Sequence, residues 1–342
     1  MWLLAQVCLV VLAIAAFPAF AGDTEDGVTF LQNKDYTSAL NSFRKAASRG
    51  DAIAQYNLAL MYDKGQGVSQ SYKEALSWYA KAAAQGLAQA QFNLGALYDD
   101  GQGLGVARDY KQAMYWYEKA AEQGLAQAQV NLGVMYEQAK GVPQNYQRAA
   151  FWYEKAASQG SADGQASLGV MYDDGTGVVK DYEKAKFLYE MAASRGHKGA
   201  QNNLGVMYDQ GKGMPQNYQR AVFWYQKAAS QGYAPAQTSL GVMYDEGTGV
   251  VKDNKQAAFW YAKAALQGYA PAQYNLGLSY SNGQGVARDP VEAKKWFILA
   301  DSQGYGNASK FRAILEGTLT QTQNAEAQRR ANEWLKARSK SP

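Results

Sequence analysis

The chain has 342 residues, with 34 Lys+Arg against 30 Asp+Glu, one Cys, one His, 34 Gly and only 7 Pro. At 47% hydrophobic and 19% charged residues it can bury a core, which excludes wholesale disorder. His197 is the only imidazole and Cys8 the only thiol, so a multi-His or Cys-based metal or redox site is excluded by count, and neither a metal nor a cofactor is expected.

Residues 1–21 carry no charged side chain, and Leu3 to Ala16 form an apolar stretch followed by Pro18 and the small-x-small triplet Ala19-Phe20-Ala21. This pattern predicts a signal peptide cut before Gly22. The stretch is shorter than the ~20 apolar residues of a membrane span, so no stable span is expected after cleavage. The missing Lys or Arg near Met1 departs from the usual leader. A mature chain from Gly22 is expected to be periplasmic or secreted and contains no cysteine, so packing alone must stabilise it.

Residues 22–50 predict a short helical hairpin with Tyr36, Ala39, Phe43, Ala46 and Ala47 on one stripe. A phrase Ala-Ala-x-x-Gly then recurs, ending at Gly50, Gly86, Gly124, Gly160, Gly196, Gly232 and Gly268, with a variant at Gly304. The steps are 36 residues except one of 38, so 51–304 divides into seven units, 51–86, 87–124, 125–160, 161–196, 197–232, 233–268 and 269–304. The first helix of each unit, helix A, holds a Leu-Gly-x-x-Tyr phrase, such as Leu94/Gly95/Tyr98, with Ala59 replacing the glycine in the first unit; its Leu and Tyr share a helix face and the small residue lets a neighbour approach. A Gly-x-Gly-Val turn follows, with Ala139 replacing the first glycine in the third unit. The second helix begins behind Asp109, Asn145, Asp181 or Asn217 as N-caps and carries stripes such as Ala113-Trp116-Tyr117-Ala120. The tryptophans are expected on its buried stripe. Residues 305–342 predict capping helices, one over 307–316 and one over 325–338 with Ala331, Trp334 and Leu335 on one face. This segment has seven basic and three acidic side chains, which is the whole net charge of +4.

These phrases at this period resemble the Sel1-like repeat, a relative of the tetratricopeptide repeat with a longer internal loop. The resemblance implies an all-α fold, a right-handed α-solenoid of stacked antiparallel helix pairs, with the first helix of each pair lining a concave groove. Periodicity alone supports stacked pairs, because one pair cannot bury both faces. The resemblance also implies a protein or peptide partner; beyond the basic tail nothing suggests nucleic acid, and the expected export argues against it.

By the same resemblance, two positions before each Leu face the groove: Tyr56/Asn57, Phe92/Asn93, Val130/Asn131, Ala166/Ser167, Asn202/Asn203, Thr238/Ser239 and Tyr274/Asn275. An Asn amide there can bond an extended peptide, and the aromatic rings offer contact area. Gln55, Gln91, Gln129, Gln165, Gln201, Gln237 and Gln273 recur in every unit, which favours a structural hydrogen bond between units. The lysines of a carboxylate clamp are missing at the matching positions, which begin Ile53, Gln89 and Gln127. Asp63, Asp99, Glu137, Asp173, Asp209 and Asp245 form an acidic ladder that could attract a basic ligand or a cation, although its spacing is not that of an EF-hand loop.

No zinc-protease, nucleophile-elbow or phosphate-loop motif is present. Ser42-Phe43-Arg44-Lys45 matches Ser-x-x-Lys, and some relatives of the repeat are described as β-lactamases, so a β-lactam or peptidoglycan hydrolase is the alternative reading. The leading expectation is a non-enzymatic interaction scaffold of the bacterial cell envelope.

Overall fold

The computed structural model describes residues 21–101 and 105–339; the expected leader before Ala21 lies outside the described residues. Among them there are eighteen α-helices and no strand. The chain divides into two compact units, residues 1–159 and 160–342.

The first unit contains α1 (Ala21–Gln32), α2 (Tyr36–Ser48), α3 (Ala52–Lys64), α4 (Tyr72–Ala84), α5 (Ala88–Asp100), α6 (Tyr110–Glu122), α7 (Ala126–Glu137) and α8 (Tyr146–Ser158). The second contains α9 (Ala162–Asp174), α10 (Tyr182–Ser194), α11 (Lys198–Gln210), α12 (Tyr218–Ser230), α13 (Ala234–Glu246), α14 (Asn254–Leu266), α15 (Ala270–Asn282), α16 (Pro290–Asp301), α17 (Ala308–Thr318) and α18 (Gln321–Ser339). Within each unit every helix packs on the next one in sequence, except that α17 and α18 both pack on α16, the arrangement of an α-solenoid.

Local chemistry sets the helix ends. Asp109, Asn145, Asp181 and Asn217 accept bonds from backbone amides in the first turn of α6, α8, α10 and α12. Gly65 ends α3 in the left-handed conformation (φ 65°, ψ 34°), where a side chain is disfavoured. The second glycine of the turn, Gly67, has φ 72°, and a Cβ there would sit 2.9 Å from the Tyr36 carbonyl oxygen, so the loop presses on the start of α2. Ala139 takes φ 56° itself where the turn glycine is missing. A backbone bond from the N-cap to the helix-A tyrosine, such as Asn217 N to Tyr208 O at 2.8 Å, holds the loop down.

The core is a row of tyrosines, Tyr79, Tyr117, Tyr153, Tyr189 and Tyr225, all fully buried among alanines, each side chain contributing roughly 1.5–3 kcal/mol of burial. The helix-A glycine makes room for four of them, with Ala59 in that place beside Tyr79: a Cβ on Gly95 would lie 2.8 Å from the Tyr117 ring and 3.1 Å from the Ala113 carbonyl. The tryptophans depart from the buried stripe expected of them. Trp296 is buried, but Trp78, Trp116, Trp152, Trp224 and Trp260 are half-buried. Each lies against the cluster shared by the second helix of the preceding pair and the first helix of its own, as Trp116 does with Ala83 and Leu94 and Trp260 with Ala229 and Leu240, and the outer edge stays in solvent.

At the C-terminal end α17 and α18 both pack on α16. Ala327 and Ala331 are fully buried, and Trp334 meets Trp296 at 6.4 Å between ring centroids. Leu335 points outward at 44% exposure, off the face expected for it. Among the described residues no helix is long and apolar enough to cross a membrane.

Candidate functional site

The recurrent glutamines are the joints of the stack. Gln55 Nε2 donates to the Ala47 carbonyl at 3.2 Å, on the last helix of the preceding pair, and Gln55 Oε1 accepts from Gln85 Nε2 at 2.8 Å, at the end of α4 in its own pair. The same two bonds recur at Gln91, Gln129, Gln201, Gln237 and Gln273. All six glutamines are buried, and their amides satisfy helix-end carbonyls that burial would otherwise leave costly.

The acidic ladder and the asparagine row prove to be parts of one repeated constellation. Tyr79 Oη donates to Asp63 Oδ2 at 3.2 Å, and Asn93 Nδ2 donates to Tyr79 Oη at 3.1 Å. The acid belongs to the same helix pair as the tyrosine, and the asparagine to the next pair. Tyr117 bonds Asn131 beside Asp99, Tyr189 bonds Asp173 and Asn203, and Tyr225 bonds Asp209 and Ser239. Tyr153 Oη donates to Glu137 Oε2 at 2.7 Å. Burial pushes the phenols of Tyr79, Tyr117, Tyr189, Tyr225 and Tyr261 far up, the neighbouring carboxylates adding to it, so they act only as neutral donors and acceptors. Burial likewise raises Asp63, Asp99 and Asp209 above the ordinary carboxylate range.

The expected groove residues therefore stand at the seams between helix pairs and are partly engaged there. Tyr56 lies tilted 5.8 Å from Tyr79, Phe92 lies 5.6 Å from Tyr117, and Tyr274 meets Phe297, Tyr305 and Phe311 at 5.8, 5.8 and 5.9 Å. Asn57 follows a helix that carries Phe43 in place of the tyrosine, and its amide turns to its own helix, donating to the Ile53 carbonyl at 2.9 Å. Asn202 is buried and approaches Asn203 at 3.4 Å, whereas Asn275 keeps its side chain toward a small cavity beside Asp245.

Sequence reasoning missed the basic members of the seam. Lys212, in the loop after α11, reaches back to Asp173 at 3.3 Å, and Lys140 stands close enough to Asp99 to draw its carboxyl down against the burial. Their spacing from the acids, 39 residues for Lys212 and Asp173, was the available signal. Three cations of the basic C-terminal segment are paired: Arg329 with Glu326 and Glu333, Arg330 with Glu292 and Glu326, Arg312 with Asp301. His197 caps α11, its Nδ1 accepting from Ala200 N at 3.0 Å, with Nε2 3.3 Å from Asp163. Among the described residues no group of three or more His, Cys, Asp or Glu could hold a metal. Ser42 and Lys45 do not form a nucleophile pair, because Lys45 Nζ pairs with Asp23 at 2.8 Å.

Paired helices joined by glutamine bridges and a buried tyrosine row define an α-solenoid of the tetratricopeptide-like class, a fold that typically serves as a protein–protein interaction scaffold. The Sel1 repeat matches residues 52–87, 88–125, 126–161, 162–197, 199–233, 234–269 and 270–305, and the chain belongs to the Sel1 repeat family. It is 34% identical to a Sel1 repeat protein from Oxalobacter formigenes, over 71% of this chain and 96% of that one, with a TM-score of 0.66. It is 31% identical to c5321, a protective antigen of uropathogenic Escherichia coli with an SLR fold, over 93% and 92% of the chains, with a TM-score of 0.44. The immunity protein Pa5087 of Pseudomonas aeruginosa is 26% identical over 65% and 83%, with a TM-score of 0.42. No curated protein matches the chain.

Proposed function

We propose that this chain is a non-enzymatic interaction scaffold of the bacterial cell envelope, exported by cleavage near Gly22, which binds a protein or peptide partner along its first-helix face. The observation that carries the reading is the contrast between frame and surface. Tyrosine, glutamine and alanine repeat from unit to unit, while the seam positions change through Tyr56/Asn57, Phe92/Asn93, Asn202/Asn203 and Tyr274/Asn275. A repeated frame with a changing row of side chains supplies specificity without altering the fold. Carboxylates of the acidic ladder, Asp63, Asp99, Asp173, Asp209 and Asp245, stand along the same seams, and those other than Asp173, which Lys212 already matches, favour a basic partner.

Asn57 and Asn275 suit a test, since one amide bonds only its own helix and the other makes no hydrogen bond among the described residues. Peptides selected from a displayed random library on the wild-type chain are expected to lose most of their binding to the Asn57→Ala/Asn275→Ala double variant, with the unfolding midpoint unchanged. Equal binding by both would remove the groove reading. For the envelope assignment, N-terminal sequencing of the chain recovered from a bacterial host should begin near Gly22; recovery in the cytoplasm from Met1 would refute it.

A further inference from the structure

The carboxylate seams of the second unit are closed in different ways. At Asp173 the loop residue 39 positions later is Lys212, whose ammonium lies 3.3 Å from the carboxylate; the acid is 12% exposed and the lysine 30%. At Asp245 the equivalent residue is Gln284. A cavity of about 80 Å³ remains there, lined among others by Asp245, Tyr261, Asn275, Ser279 and Gln284. Asp245 makes no hydrogen bond or ion pair among the described residues, whereas Asp173 has its lysine. A water takes about 30 Å³ of liquid volume, so this space accepts an ammonium with one or two methylenes.

We infer that the cavity at Asp245 is a docking pocket for a primary ammonium group, the side chain of a lysine in the partner peptide. The proposal rests on the groove reading above and names the partner's chemistry. The chain itself holds the precedent: Lys212 shows that the same cleft, formed by the same helix positions, seats a lysine end on its aspartate. Asp245 supplies the charge, and Tyr261 and Asn275, which hold the positions of Tyr189 and Asn203 in the lysine-closed seam, supply oxygen acceptors. Asn275 was expected on the groove and Asp245 in the acidic ladder; the stacking of α13, α14 and α15 brings them together.

The test uses the full chain and a fluorescent pool of extended decapeptides with one central lysine, alongside the same pool Nε-acetylated. By anisotropy the lysine pool should bind about tenfold more tightly than the acetylated one. Gln284→Lys would place the chain's own ammonium over Asp245, as Lys212 sits over Asp173, and should erase that preference. Asp245→Asn should erase it too, with both variants unfolding near the wild-type midpoint. Equal binding of the two pools to the wild type, or a preference that survives in Gln284→Lys, overturns the pocket while leaving groove binding intact. Failure of both pools to bind the wild type overturns the groove reading and the pocket with it.

Discussion

At Gly205 and Ala139 single side chains act on the array in opposite senses. A Cβ on Gly205 would stand 2.5 Å from the Tyr225 ring, in a core with no slack. Gly205→Val is expected to destabilise by about 1–3 kcal/mol, read from denaturant unfolding. Ala59 holds the equivalent place in the first repeat and packs against Tyr79, so an alanine is accommodated where the neighbouring ring adjusts. Ala139 holds a left-handed backbone at φ 56°, which costs an L-residue about 1–2 kcal/mol. Glycine relieves that strain and gives part of it back as unfolded-chain entropy, so Ala139→Gly should stabilise by about 0.5–1 kcal/mol in the same measurement.

Between helices, stability is decided by polar joints as much as by apolar area. Gln201 links the Ala193 carbonyl of α10 to the Gln231 amide that follows α12. Gln201→Ala leaves both groups without that partner in a buried seam, and a loss of about 1–3 kcal/mol is expected in thermal unfolding. Within α18 itself, charge contributes. Arg329 and Arg330 hold the Glu326 carboxyl down at about 2, against an ordinary 4.5. A depressed acid contributes its stability above the unfolded value and loses it as pH falls through the folded one. The helicity of α18 should therefore fall between about pH 4.5 and pH 2, read as a loss of far-UV circular dichroism that Glu326→Gln does not show. Salt should weaken this contribution, because Glu326 and Arg329 lie at the surface.

Across a whole repeat array, stability is close to a sum of nearest-neighbour terms, so an end matters through the one pair it covers. Trp296 is 4% exposed beneath Trp334, and Ala327 and Ala331 of α18 are fully buried in the same cluster. Removing 320–342 should lower the unfolding midpoint of the second unit and expose Trp296 to a soluble quencher, with hydrogen-exchange protection in α3–α6 unchanged. Equal protection throughout α13–α16 would show that the cap contributes no stability.

The period, the helix pairs, their N-caps and the left-handed turns were legible in the residue order, because each follows from spacing, backbone preference or a bond within a few positions. The buried tyrosine row was legible for the same reason, since Tyr117 recurs on one helical stripe with Ala113 and Ala120. Partnership was not. Asn93 reads as a free amide on a groove until stacking sets it against Tyr79, fourteen residues before it. Asp173 reads as a solvated helix end until Lys212 arrives from 39 residues away. Five of the repeat tryptophans read as core until the stack turns one edge of each to solvent, while Trp296 stays buried. Such contacts depend on how successive helix pairs lie against one another, which local propensity does not specify. Tertiary packing alone therefore separates Asp173, already matched by its own lysine, from Asp245 and its cavity.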